Sequence, residues 1–402
     1  MWSPDGQRLA YIRVRQGPEG DQASIETCDL KGSRTTVVSD PGLESFCWLA
    51  EGRIVYSRRE SAYSNDDNLW EIGIDGDAGT PIGKSKRITQ WAGFSLENLS
   101  ASANGKRLTL QKSMFQEQVY LGELAAGGTR LNPPRRLTND EANDMPTAWT
   151  PDSRAVLFGS DRNGPWGIFK QEINQDTAEP VVAGSQHNVA SGRLSADGAW
   201  ILYPEDPNTF SPSTPLMRIP VSGGVPQLVV KTKGLPRFRC ARALANLCVL
   251  IEPSPDEKQI TVTALDPMKG RGKVLRTIEK GPSGCALSPD GSSLAVTSSG
   301  EAQIHIGLFS LSSGPDREIT VKGWPNAEGL DWSSSSKGLY VGSVSPQNRT
   351  LLYLDLKGNA RVLWQFKGRG TGRVWGVPST DGRYLAILGS VNNSNVWMLE
   401  GF

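Results

Sequence analysis

Leu287–Val296 reads LSPDGSSLAV, and Trp2–Tyr11 carries nearly the same phrase, WSPDGQRLAY. Proline presets φ at the second position of a β-turn, aspartate suits the third, and glycine accepts the left-handed backbone that closes a hairpin. The phrase therefore encodes strand, tight turn, strand. Asp5, Gly6, Asp197, Gly198, Asp290, Gly291, Asp381 and Gly382, with Asp152 of the variant WTPDS, are turn-forming residues and carry shape rather than chemistry.

Aligning the acidic or equivalent turn position gives nine copies, at Asp5, Glu51, Asn104, Asp152, Asp197, Ala245, Asp290, Ser335 and Asp381, with gaps of 46, 53, 48, 45, 48, 45, 45 and 46 residues. A chain of 402 residues is long for one ordinary core, so a repetitive architecture is expected, and a period near 45 is that of four-stranded propeller blades. Before each turn stands a short strand ending in an aromatic or apolar residue (Trp2, Trp48, Trp149, Trp332), and after it an apolar strand such as AVLFGS or YLAILGS. A third strand alternates cleanly, as in QVYLGEL at Gln118 and NVWMLE at Asn395, so one of its faces is covered and the other wetter. Charged segments such as KRITQW and RRLTND read as outermost strands, where charge discourages pairing with other molecules. The first copy lacks a full preceding strand and the ninth ends after its third. The expectation is an all-β fold, a single β-propeller over residues 1–402, N-terminally truncated, of four-stranded blades, eight in number, with seven blades or a split into two smaller propellers left open.

Lys plus Arg is 43 against Asp plus Glu 42, so no net field gathers nucleic acid, and no apolar run approaches the length of a membrane span. The hydrolase elbow G-x-S-x-G is absent from the sequence. GTPIGKSK at Gly79–Lys86 misses the phosphate-loop spacing, because Ala78 stands where its first glycine belongs, and it reads as a loop. An EF-hand loop begun at Asp75 would place Lys86 at its closing glutamate. The two histidines, His187 and His305, lie far apart in sequence and read as a loop and a blade residue. No catalytic, cofactor or metal residue is assigned. Cys240 and Cys248 stand symmetrically in CARALANLC, so a kept hairpin sets them opposite each other, as a disulfide or as two buried thiols. The candidate binding loops join second and third strands: SDRNG, with Asp161, Arg162 and Asn163, and NNSN, with Asn392 and Asn393.

The phrases WSPDG, WTPDS, LSADG and LSPDG resemble the TolB-like, WD40-like propeller repeats of bacteria. RRLTNDEANDMPTAWTPDSRAVLFGSDRNGPWGIFKQ, LMRIPVSGGVPQLV, VKGWPNAEGLDW and SNVWMLEGF resemble the C-terminal propeller regions of bacterial receptor-like serine/threonine kinases and related winged-helix regulators. The resemblance implies a non-catalytic sensing or docking module for a protein or peptide, held extracytoplasmically or periplasmically when tied to a membrane receptor. Kinase motifs match no position here. Two further readings stay open: a free-standing periplasmic scaffold of the TolB kind, and a propeller lyase or glycosidase working with carboxylates and arginines.

Overall fold

In most of the turn phrases a serine or threonine hydroxyl locks the turn as well. Ser379 Oγ donates to Asp381 Oδ1 (2.7 Å) and accepts from the Tyr384 N–H (2.9 Å), while the same carboxylate accepts from the Arg383 N–H (3.0 Å). Thr150 with Asp152 and Ser288 with Asp290 repeat the arrangement. The closing glycines Gly6, Gly198, Gly291 and Gly382 sit at φ of 70–73°. The aromatic residue before the turn has its own task. Trp149 Nε1 donates to Val377 O (2.8 Å) and Trp332 Nε1 to Ala286 O (3.1 Å), each stitching its sheet to the one before it around the ring while the indole is buried.

The computed structural model describes all residues except 18–19, 61–65, 184–188, 190, 206–212, 235–236, 243–244, 257, 280–283, 299–302, 346–347 and 368–371, so His187 lies outside the described residues. Among those described, the one helical element is a three-residue turn at Ala126–Gly128, and no helix is long and apolar enough to cross a membrane. The fold is all-β, built mainly of four-stranded antiparallel sheets. Where the unbroken period pointed to one propeller over residues 1–402, packing divides the chain into two compact units, Met1–Phe115 with Asn392–Phe402, and Gln116–Val391.

The larger unit is a closed ring. Five four-stranded sheets begin with the inner strands Asp144–Trp149, Arg193–Leu194, Arg237–Cys240, Gly284–Leu287 and Ala327–Trp332. A sixth combines Val374–Pro378 with parts of two long strands, Arg107–Ala125 and Tyr384–Glu400, and the short strands Arg130–Leu131 and Arg135–Arg136. Each inner strand neighbours the next, and Val374–Pro378 returns to Asp144–Trp149. The closure is packed by Val119, Trp149, Phe158, Val377 and Ala386, burial that removes the sheet edges an open array would expose. Six sheets thus close this ring, whereas the repeat count alone predicted eight.

The smaller unit holds a three-stranded sheet (Arg8–Gly17, Gly20–Asp29, Arg34–Ser39), a four-stranded sheet (Leu43–Trp48, Arg53–Arg59, Asp67–Ile74, Pro81–Arg87), and Ser95–Ala101 paired with residues 107–113 beside residues 392–400. Pro81–Arg87 is an outer strand, so most of the GTPIGKSK segment is strand rather than loop.

The two long strands correct a second expectation. Residues 107–125 and 384–400 each contained an expected strand–loop–strand, yet each is one continuous strand. Neither 111–117 nor 390–395 has a proline or glycine, and none of these residues adopts positive φ. Asn392 and Asn393 therefore lie inside a strand rather than in the expected loop.

Candidate functional site

In five of the six sheets the inner-strand residue two before the turn hydroxyl, or before Ala241 that takes its place, faces a cavity on the ring axis. In the first and last sheets it is Ala148 and Val377, in keeping with a filled channel. In three others it is charged, as Arg193, Arg239 and Asp331, and Arg242 joins them from the turn after Arg239. These side chains line a cavity of about 160 Å³, the liquid volume of roughly five waters.

The strands bearing Arg193 and Asp331 stand opposite one another in the ring, and Arg193 Nη1 reaches Asp331 Oδ2 at 3.4 Å across the axis. Arg242 also spans the axis, donating from Nη1 to Thr380 O at 2.7 Å. Arg239 is anchored by Nε to Cys285 O and by Nη1 to Phe238 O, both at 2.8 Å. Asp197 lines the same cavity, but its carboxylate is engaged by Ser195 and the Ala199 N–H within its own turn. Three guanidiniums therefore face one available carboxylate. The crowding is visible in their protonation: burial, reinforced by repulsion from Arg239, brings Arg193 down to about 10, and burial lowers Arg242 despite the neighbouring Asp331. An incoming anion would relieve that repulsion, and the planar guanidinium fork suits carboxylate or phosphate oxygens.

The hairpin carrying Arg239 and Arg242 is closed covalently. Cys240 and Cys248 are direct cross-strand partners joined by a disulfide. Cys47 and Cys285 are buried free thiols, and burial pushes Cys47 up to about 12.

The loop residues Asp161, Arg162 and Asn163 lie away from this cavity, around the starts of the inner strands. Asp161 accepts from the Asn143 N–H and Nδ2 (both 2.8 Å). Arg162 pairs with buried Asp144 at 2.9 Å and Asp140 at 3.1 Å while lying over Phe158 and Phe169. Of the three, Asn163 alone is exposed. The loop is thus an internal charged anchor in which Arg162 holds a buried carboxylate. Nearby, buried Glu117 pairs with Arg373 at 3.0 Å. Glu328 holds a buried Oε2 without a hydrogen-bond partner among the described residues, and its carboxyl is raised by burial against the pull of Arg373. His305 sits in the strand Ile304–Ser310 beside Thr320 and Glu318. No group of three or more metal-ligating side chains is found among the described residues.

The axial arginines carried a signal that the sequence reading missed. Aligning the copies on the turn hydroxyl places Arg193, Arg239 and Asp331 in one column with Ala148 and Val377, where charge is conspicuous among small and apolar neighbours.

No protein-family profile and no curated protein sequence matches the chain. Among solved structures, a TolB-like protein from Agrobacterium tumefaciens is similar over 69% of this chain and 99% of its own, at 17% identity and a TM-score of 0.53. TolB from Acinetobacter baumannii covers 69% of this chain and 65% of its own at 20% identity, with a TM-score of 0.29. An oligogalacturonate lyase in complex with manganese covers 75% and 78% at 16% identity, with a TM-score of 0.43. The last two superpose too loosely to carry an argument, and at 17% identity the first speaks for architecture alone. Together with the sheets described above, it gives the chain the fold of a TolB-like β-propeller.

Proposed function

We propose that the chain is a non-catalytic recognition module that takes an anionic group of a protein or peptide ligand into the axial cavity of its larger unit. The carrying observation is the set of Arg193, Arg239 and Arg242 facing the single available carboxylate of Asp331. Preorganised cations of this kind recognise carboxylate or phosphate and steer its approach. The finer placement, as the sensing or docking region of a receptor-like kinase or regulator, rests on the sequence resemblance above. The Cys240–Cys248 bridge supports an oxidising, extracytoplasmic setting.

The test is fluorescence anisotropy on the full chain, with an acidic peptide and its Asn/Gln amidated counterpart. The acidic peptide is expected to bind, more weakly as salt rises, and Arg239→Ala with Arg242→Ala should weaken it by about tenfold or more, roughly 1.4 kcal/mol. Equal binding of both peptides, or no response to the double variant, would sink the proposal. A second reading, an enzyme using carboxylate and arginine, is favoured by the partnerless oxygen of Glu328 beside Arg373. It predicts turnover of an acidic oligosaccharide that Glu328→Gln abolishes.

A further inference from the structure

In the smaller unit, three aromatic rings surround one ammonium. Lys112 Nζ lies 3.7 Å from the ring centroid of Phe94, 4.1 Å from that of Trp91 and 4.7 Å from that of Trp397. All three distances are within the range of cation–π attraction, and three faces around one cation make an aromatic cage. Lys112 forms no ion pair among the described residues, and the three ring faces are the contacts that stabilise its charge.

The cage is built rather than incidental. Trp91 is pinned by buried Asn68, which accepts from the Trp91 N–H (2.7 Å) and donates to its carbonyl (3.0 Å). Phe94 is fixed from the neighbouring residue of the same strand: the Asp67 N–H donates to Phe94 O (2.9 Å), and the Asp67 carboxylate accepts from the Leu96 N–H (2.8 Å). Between the two rings, Gly93 at φ 76° makes the turn that aims both at one point, and Asp66 accepts its N–H. The third wall, Trp397, is 49% exposed, with exposed Val396 and Met398 on either side, so the cage opens to solvent there.

Lysine is a poor occupant. A primary ammonium is strongly hydrated and seeks three hydrogen-bond acceptors, which ring faces do not supply. Burial accordingly lowers the Lys112 pKa from its ordinary value. A quaternary ammonium has no N–H to satisfy and surrenders less hydration in the same place, and the displaced Lys112 would regain its water. We propose that Trp91, Phe94 and Trp397 form a binding site for a small quaternary ammonium solute, with Lys112 as the built-in occupant that the solute displaces. The site lies within the smaller unit and is independent of the axial cavity.

The experiment titrates the full chain with tetramethylammonium chloride against sodium chloride at matched ionic strength, reading tryptophan fluorescence. In parallel, acylation of Lys112 by a water-soluble succinimidyl ester is followed by peptide mass spectrometry. A saturable fluorescence change is expected in the wild type, with Lys112 acylation rising over the same concentrations as the side chain is expelled. Lys112→Ala should bind about tenfold tighter, and adding Trp397→Ala should abolish the response; choline should behave like tetramethylammonium. A flat titration in the wild type and in a Lys112→Ala protein of native circular dichroism would overturn the proposal. So would an acylation rate indifferent to tetramethylammonium, which decides the matter in the wild type even if the variant does not fold. Sedimentation with phosphatidylcholine vesicles without any response to the free cations would overturn it in favour of a membrane-surface contact.

Discussion

Two kinds of hairpin end the inner strands of the ring, and their difference shows how one repeat was freed to carry a site. In the hairpins of Thr150, Ser288 and Ser379, a hydroxyl bridges the turn acid and a backbone N–H, so the loop is fixed by its own side chains. In CARALANLC, Ala241 takes the hydroxyl's place, and its N–H bonds to Leu247 O across a loop one residue longer. The lock there is the Cys240–Cys248 bridge. Once the turn no longer needs a hydroxyl and an acid, its side chains can turn elsewhere, and Arg242 points into the cavity beside Arg239.

Breaking the covalent lock should have the largest effect. Cys240→Ala with Cys248→Ala releases a short loop, which the chain-entropy treatment values at about 2.5 kcal/mol. Thermal unfolding of the larger unit should fall accordingly, and a reductant should reproduce the loss in the wild type but not in the variant. Because Arg239 and Arg242 flank the bridge, affinity for an acidic peptide should fall as well. Unchanged stability would mean that the hairpin is held by its ladder, and the comparison between the two locks would fail.

The hydroxyl lock should be worth less. Thr150→Val keeps the shape but removes the hydroxyl that donates to Asp152 (2.6 Å) and accepts from the Ala155 N–H (3.0 Å); a loss of about 1.5 kcal/mol is expected. It also has a pH signature. The Thr150 hydroxyl and the Arg154 N–H hold the Asp152 carboxyl below its usual range. The stability this contributes is present above the unfolded value of about 3.9 and is lost as pH falls through the lower folded value. Denaturation curves between pH 5 and 2 should therefore show less acid loss in Thr150→Val than in the wild type. The cysteine variant should show no such change, since its hairpin has no acid to protonate.

The same contrast explains what the sequence disclosed. The turn phrase is local, so its chemistry wrote the strands, the four-stranded sheets and the all-β class into every period. Closure is not local. It depends on residues 116–125 meeting residues 384–391 across most of the chain, and an alternating strand reads alike whether it continues or folds into a hairpin. For that reason the repeat count did not reveal that six sheets close the ring, nor that NNSN lies within a strand. The candidate site was half legible. The cysteine pair was visible because its spacing is symmetric within one hairpin, whereas Arg193 and Asp331 are 138 residues apart and become neighbours only through the ring. Polar composition drew attention to SDRNG, but polarity does not distinguish a solvated loop from an internal ion pair such as Arg162 with Asp144.

The smallest effect bears on the glycine of the phrase. Ser336 occupies the closing position at φ 57°, where Gly6, Gly198, Gly291 and Gly382 sit at 70–73°. Left-handed backbone costs a residue with a side chain about 1–2 kcal/mol, and glycine gives back roughly 0.5–1 kcal/mol through its freer unfolded chain. Ser336→Gly should thus stabilise the protein by about 0.5 kcal/mol, measurable as a shift of the denaturation midpoint at constant m. Ser153 holds the same position at φ 60°, yet its hydroxyl accepts from the Asp381 N–H at 3.1 Å, joining the first sheet of the ring to the last. Ser153→Gly removes that bond along with the strain, so its gain should vanish or reverse. Equal gains at the two sites would show that the Ser153 contact adds nothing to closure. A gain at Ser336 alone would show that a serine in this position is kept where it has a neighbour to hold.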